Sequence, residues 1–205
     1  MKEERVVFTS QALIIEGLIS ESQGLKGVVV THPHPLYGGS MNNNVVESVV
    51  QSYRERGYTT LRFNFRGVGE SEGVYDNGTG EQEDVRAAVA YLTQLGKTSI
   101  DLAGYSFGSW VNAHCIGDLN DVHRMVMVSP PVAFMDFSFF GRCSKLRLVI
   151  AGSEDDIAPP EMIEKMLPIW NSDAVFSIVT GADHFYWGRS REIKRAICGL
   201  IDLEG

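Results

Sequence analysis

The stretch Gly104-Tyr105-Ser106-Phe107-Gly108 follows the apolar run Ser99–Ala103 and precedes helical patterning from Phe107 to about Ile116. A serine at the apex of a strand that turns sharply into a helix is a nucleophile elbow. The turn brings strand and helix so close that side chains at Gly104 and Gly108 would collide, and it holds the serine in a strained backbone conformation. The free N–H groups of the helix start then point to where negative charge develops during acyl transfer. A serine between two glycines is a weak signal by itself. A serine hydroxyl is too poor an acid to attack a carbonyl unaided, so a base must take its proton. Imidazole does this and later returns the proton to the leaving group, while a carboxylate fixes the imidazole tautomer.

The positions to test are those directly after each strand, because ligands of an open parallel sheet sit beyond the strands' carboxyl ends. The run Gly27–Thr31 ends in His32-Pro33-His34-Pro35-Leu36-Tyr37-Gly38-Gly39-Ser40. Two prolines and two glycines there exclude a continuous helix. Asp155 follows the run Arg147–Ala151, and His184 follows Ala174–Val179. The order Ser106, Asp155, His184, each at a strand end, is the hydrolase order. Asp156 and Asp136 are the rivals for the acid; His184 is the sole histidine after Asp155. His32 and His34 are expected to hydrogen-bond structurally, and His114 and His123 to be structural or solvated. No carboxylate or cysteine at ligand spacing joins His32 and His34, so no metal is expected, and no cofactor. Arg66 with Gly67-Val68-Gly69 matches no phosphate-binding motif and predicts a tight loop beneath the site.

Eight strands and five or six helices position these residues. Arg5–Phe8 and Ala12–Ser20 predict an antiparallel opening with a turn at Thr9-Ser10-Gln11. Helical stripes run over 44–56 (Val45, Val46, Val49, Val50, Tyr53), over 83–95, and around Ile193, Ala196, Ile197, Leu200 and Ile201. Thr59–Phe65 and Arg124–Ser129 complete the strands, with a Gly-rich loop from Arg66 to Gly80. This alternation predicts an α/β fold, a mostly parallel sheet covered by helices on both faces, in one domain spanning 1–205. A formal net charge of −8 argues against nucleic acid or a membrane surface as partner. Cys115, Cys143 and Cys198 are odd in number and widely spaced, which suits free thiols. With a charged start and no apolar run of spanning length, a cytoplasmic protein is expected.

The chain resembles the α/β-hydrolase superfamily along nearly its whole length, and within it the small bacterial lid-less serine hydrolases with a His-Pro-His-Pro-x-x-Gly-Gly oxyanion loop. Asn64-Phe65-Arg66-Gly67-Val68-Gly69-Glu70-Ser71 and the Gly-x-x-Asp-x-x-x-Pro pattern of Gly152–Pro159 are further matches. The resemblance implies Ser106 as nucleophile, His184 as base and Asp155 as orienting acid. It implies an oxyanion hole from the backbone N–H groups of Phe107 and of a loop residue near Leu36. Pro35 stands where many relatives have glycine, which leaves that second donor open between Leu36 and Tyr37. The segment from Pro130 to Lys145 sits where relatives insert a lid, yet it is short, so no large lid domain is expected. Its apolar residues either fill core or line a substrate pocket, with Phe134, Met135 and Phe137, beside Tyr37 and Trp187, as the pocket candidates. These expectations describe a carboxylesterase acting on small to medium acyl esters of a small-molecule substrate. A peptidase or thioesterase would use the same triad, and a non-catalytic binding or scaffold module is the alternative of another class.

Overall fold

The apolar runs become strands β1 (Glu4–Ser10), β2 (Leu13–Ser20), β3 (Lys26–Thr31), β4 (Thr59–Phe63), β5 (Ser99–Tyr105), β6 (Val122–Val128), β7 (Leu146–Gly152) and β8 (Val175–Val179). In the computed structural model, which describes residues 2–204, they form one sheet in the order β1-β2-β4-β3-β5-β6-β7-β8. β1 and β2 pair antiparallel, as do β2 and β4; all other pairs are parallel. The hairpin register joins Ser10 to Leu13, so its turn is Gln11-Ala12, slightly later than the sequence indicated. Gln11 takes a positive φ of 56° there.

Side-chain alternation divides the core in two. On one face Val28, Val30, Val126, Val128, Leu148 and Ile150 pack under α1 (Asn44–Arg54) and α5 (Ser190–Glu204). On the other, Val29, Leu102, Met125, Met127 and Val149 pack under α2 (Thr79–Gln94), α3 (Phe107–Cys115) and α4 (Pro160–Asn171). Burial on both faces explains why the central strands read as unbroken apolar runs.

Two helices depart from the sequence reading. α2 starts four residues early, because Glu81 reaches back to the N–H groups of Gly78 and Asp76 and caps a turn that the glycines disguise. α4 is a helix that the sequence pattern does not announce. Pro159 and Pro160 open it and Pro168 sits inside it, and proline reads as a helix breaker. Beyond β6, residues 130–145 form no regular element. Among the described residues no helix is long and apolar enough to cross a membrane.

The Asn64–Ser71 loop is wired to β2. Glu16 accepts from Asn64 Nδ2 and the Glu70 N–H, both at 2.7 Å, and Ser71 Oγ donates to Asn64 O at 2.7 Å. Arg66 is buried against the fully buried Asp84, Nη2 to Oδ1 at 2.9 Å, and Asp84 also accepts the Arg66 N–H. Its guanidinium is therefore committed to the scaffold, in keeping with the tight-loop reading.

Candidate active site

Ser106 caps the N-terminus of α3 with φ 53° and ψ −121°, a region that side chains rarely occupy. Glycine is required on both sides for steric reasons. A Cβ on Gly104 would lie 2.6 Å from Asn112 Nδ2 and the Ser109 nitrogen, and one on Gly108 would lie 2.7 Å from Thr31 O and 2.8 Å from His32 O. The loop after β3 thus passes directly over the start of α3. The Ser106 N–H donates to Val128 O at 2.9 Å, which ties the elbow to β6.

His184 is carried by the loop after β8. Asp183 shapes that loop by accepting the N–H groups of Phe185 and Tyr186 through Oδ1. Tyr105, at the end of β5, donates its hydroxyl to His184 O at 2.7 Å, and its ring lies 5.4 Å from the imidazole. Gly152 lets this loop cross the end of β7, since a Cβ there would sit 2.2 Å from Ala182 O. That close approach is the physical content of the glycine in the Gly-x-x-Asp pattern.

The three side chains meet although they are far apart in sequence. His184 Nε2 lies 2.9 Å from Ser106 Oγ, and Nδ1 lies 3.0 and 2.9 Å from the two oxygens of Asp155. A carboxylate only accepts, so Nδ1 carries the proton and Nε2 is left to accept from the serine. All three residues are buried. Asp155 Oδ1 also accepts the N–H groups of Ile157 (3.0 Å) and Ala158 (2.8 Å), and Oδ2 accepts from Ser129 Oγ at 2.7 Å. Burial alone would raise the Asp155 pKa; the hydrogen bonds from His184, Ser129 and the backbone outweigh it and hold the carboxyl below its ordinary range. Neither rival acid takes this position. Asp136 is exposed and accepts from Ser138 N and Oγ, both at 2.8 Å, and Asp156 is exposed beside Asp155.

In the loop after β3, the N–H groups of both residues expected to offer the second oxyanion donor are engaged within the loop. Pro35–Tyr37 form a single 3-10 turn. Within it the Leu36 N–H donates to His34 Nδ1 at 3.2 Å and the Tyr37 N–H to His34 O at 3.1 Å. Both candidate donors are thus consumed by the turn itself, which the two prolines favour. Among the described residues, the N–H groups of Phe107 and His34 have no protein acceptor.

His32 is fully buried and spends both ring nitrogens on backbone: Nδ1–H donates to Pro33 O at 2.6 Å, and Nε2 accepts the Phe65 N–H at 3.0 Å. It has no lone pair left for a metal. Burial depresses its pKa from 6.5 to about 4, against the raising effect of Pro33 O. The unfolded chain protonates near the ordinary value and the folded chain only near the depressed one. The stability given by neutral His32 is therefore complete above pH 6.5 and is lost as pH falls towards about 4. Urea titrations are expected to show about 2 kcal/mol less stability near pH 5 than near pH 7.5 from this residue. His32→Gln should remove that part of the slope. Elsewhere, His123 Nε2 donates to Thr98 O and His114 packs between Trp110 and Phe139.

Of the proposed pocket residues, Tyr37, Phe134 and Trp187 are exposed. Met135 is half-buried against the core. Phe137 is corrected to a core residue: it is buried and packs on Trp170 at 5.4 Å between ring centres. Two cavities, about 450 and 370 Å3, lie beside the Asn64–Ser71 loop and between β8 and α5, and neither includes Ser106 or His184. Sequence reasoning missed Ser129 and Tyr186, which join the site from the end of β6 and from two residues past His184. In the sequence Ser129 reads as the last residue of the strand Arg124–Ser129, so no signal set it apart; β6 ends at Val128.

No protein-family model matches the chain. An uncharacterized protein of Rickettsia prowazekii is 35% identical over 179 residues, which cover 82% of this chain and 75% of the relative. A solved α/β serine hydrolase homologue from Coxiella burnetii is 33% identical, superposes with a TM-score of 0.90 and covers 97% of both chains. An α/β serine hydrolase without a lid from Xanthomonas campestris is 26% identical with a TM-score of 0.90, covering 100% of this chain and 95% of its own. The chain belongs to the α/β-hydrolase superfamily.

Proposed function

We propose that the protein is a serine hydrolase, specifically a carboxylesterase working through an acyl-enzyme at Ser106. One observation carries this reading: a serine on a strained elbow hydrogen-bonds a histidine whose other nitrogen is bound to a buried, fully solvated-by-protein carboxylate. In the first step His184 Nε2 takes the Ser106 proton as Oγ attacks the ester carbonyl. The imidazolium is held by Asp155 and then protonates the departing alkoxide. Water, deprotonated by the same nitrogen, releases the acid and restores Ser106.

The tetrahedral oxyanion is assigned to the Phe107 N–H at the start of α3, assisted by the His34 N–H on the loop that crosses it. Each such donor is worth roughly 3–4 kcal/mol to the barrier. The short segment between β6 and β7, with exposed Tyr37, Phe134 and Trp187 on loops at the strands' carboxyl ends, supports an open site for small to medium acyl esters. The free thiols Cys115, Cys143 and Cys198 support a reducing compartment such as the cytoplasm.

The test is a fluorophosphonate probe followed by peptide mass spectrometry, with Ser106→Ala as control. A phosphonyl adduct on Ser106, absent in the variant, is expected, with p-nitrophenyl acetate and butyrate turned over faster than matched thioesters or peptides. No adduct on folded protein overturns the hydrolase reading in favour of a scaffold. Preferential turnover of thioesters or peptides overturns the ester assignment alone.

A further inference from the structure

Two buried hydroxyls sit behind Asp155 in a hydrogen-bonded row. Ser129 directly follows β6 with φ 45°, and Tyr186, two residues past His184, has φ 54°. Both residues are fully buried. Ser129 is fixed by its N–H, which donates to Ile150 O at 2.7 Å. Its Oγ lies 2.7 Å from Asp155 Oδ2 and 2.6 Å from the Tyr186 hydroxyl.

The proton positions follow from valence. The carboxylate accepts only, so the single Ser129 hydroxyl proton points to Asp155, and Tyr186 must donate to Ser129 Oγ. Burial pushes the Tyr186 pKa up, so it stays a donor. We propose that Tyr186 and Ser129 form a hydroxyl relay that positions Asp155 and sets how strongly its carboxylate holds a proton on His184. This rests on the reading of Ser106, His184 and Asp155 as the reactive group.

Ser129 is the side-chain donor that Asp155 has besides His184; its other partners are the Ile157 and Ala158 N–H groups. The remaining titratable groups facing the cluster are Tyr105 from β5, whose burial also raises its pKa, and Asp183, which is occupied by two backbone N–H groups. Glu154 and Asp156, on the same loop as Asp155, are exposed. A hydrogen bond on Oδ2 draws charge from the carboxylate, and donors to a charged acceptor are the strong ones. Without it the carboxylate stabilises the imidazolium more, and it is also freer to turn. Both residues pass their effect through Asp155 and act as positioning residues.

The variants are Ser129→Gly and Tyr186→Phe. Glycine accepts the left-handed backbone without strain and phenylalanine keeps the ring, so both should fold. His184 is followed by proton NMR of its ring across pH, assigned with His184→Gln. The titration midpoint is expected to move up by roughly half to one pH unit in Ser129→Gly and by less, in the same direction, in Tyr186→Phe. The acid limb of the kcat/KM profile for p-nitrophenyl acetate should follow it, with kcat reduced about tenfold in Ser129→Gly. Unmoved midpoints in both folded variants overturn the relay. Because the ring is titrated without turnover, a wild-type protein that takes no fluorophosphonate label would refute hydrolysis while the same titration still decides the relay.

Discussion

Replacing Ser106 with alanine is expected to lower ester turnover by about a million-fold while the fold survives. The size follows from the division of labour. With Oγ gone there is no atom for His184 Nε2 to deprotonate, and the oxyanion donors and substrate contacts alone leave a rate roughly a thousand- to ten-thousand-fold above that of water. The fold should survive because Oγ forms no structural bond beyond the one to His184, while the backbone bonds from Ser106 N to Val128 O and from Ser109 N to Ser106 O persist. Alanine keeps the unfavourable φ of 53°. Ser106→Gly relieves it and should raise stability by about 1 kcal/mol or more, with the same loss of activity. Steady-state kinetics on p-nitrophenyl butyrate and urea denaturation of the three proteins read both effects. An alanine variant retaining more than about a hundredth of the activity would remove Ser106 from the mechanism.

Asp155→Asn carries the second largest effect, a fall in kcat of about ten-thousand-fold near neutral pH. Asparagine keeps the shape and can still accept the Ile157 and Ala158 N–H groups through its oxygen. Its amide then faces His184 and Ser129 as a donor. His184 Nδ1 must accept, the proton moves to Nε2, and the nitrogen that should take the serine proton is no longer free. Stability shifts with a defined sign. The Asp155 carboxyl is held below its ordinary range, so its contribution is present above the unfolded pKa and is lost as pH falls through the folded value. The asparagine variant should therefore be less stable near neutrality and show a shallower decline in acid. Stopped-flow kinetics and urea midpoints at several pH values test the pair of outcomes; unchanged kcat with the acid slope reduced would make Asp155 purely structural.

Much of this site could be read from the chain because its components are local. At Gly104 the clash is with the start of α3 itself, Ser109 and Asn112, whereas at Gly108 it is with Thr31 and His32 where β3 ends. Unbroken apolar runs mark β3, β6 and β7, and parallel strands place their following residues at one end of the sheet, so Ser106, Asp155 and His184 could be set together from order alone. Helix α4 was hidden because proline's penalty is local while the packing of Ile163 and Trp170 that offsets it is not.

What tertiary structure decided was the choice among local equals and the long-range partners. Asp155, which its spacing from Gly152 and Pro159 favours over Asp136, reaches His184 because the Ala182–His184 loop passes over Gly152. The N–H groups of Leu36 and Tyr37, between which the sequence left the second donor open, both turn to His34 because a 3-10 turn forms there. Phe137 turned inward because Trp170 offers an apolar surface there. Ser129 and Tyr186, separated from their partners by 26 and 57 residues, left no pattern in the chain. Periodicity and turn chemistry are written in near neighbours, whereas a hydrogen bond between distant hydroxyls exists only once the sheet has brought its strand ends together.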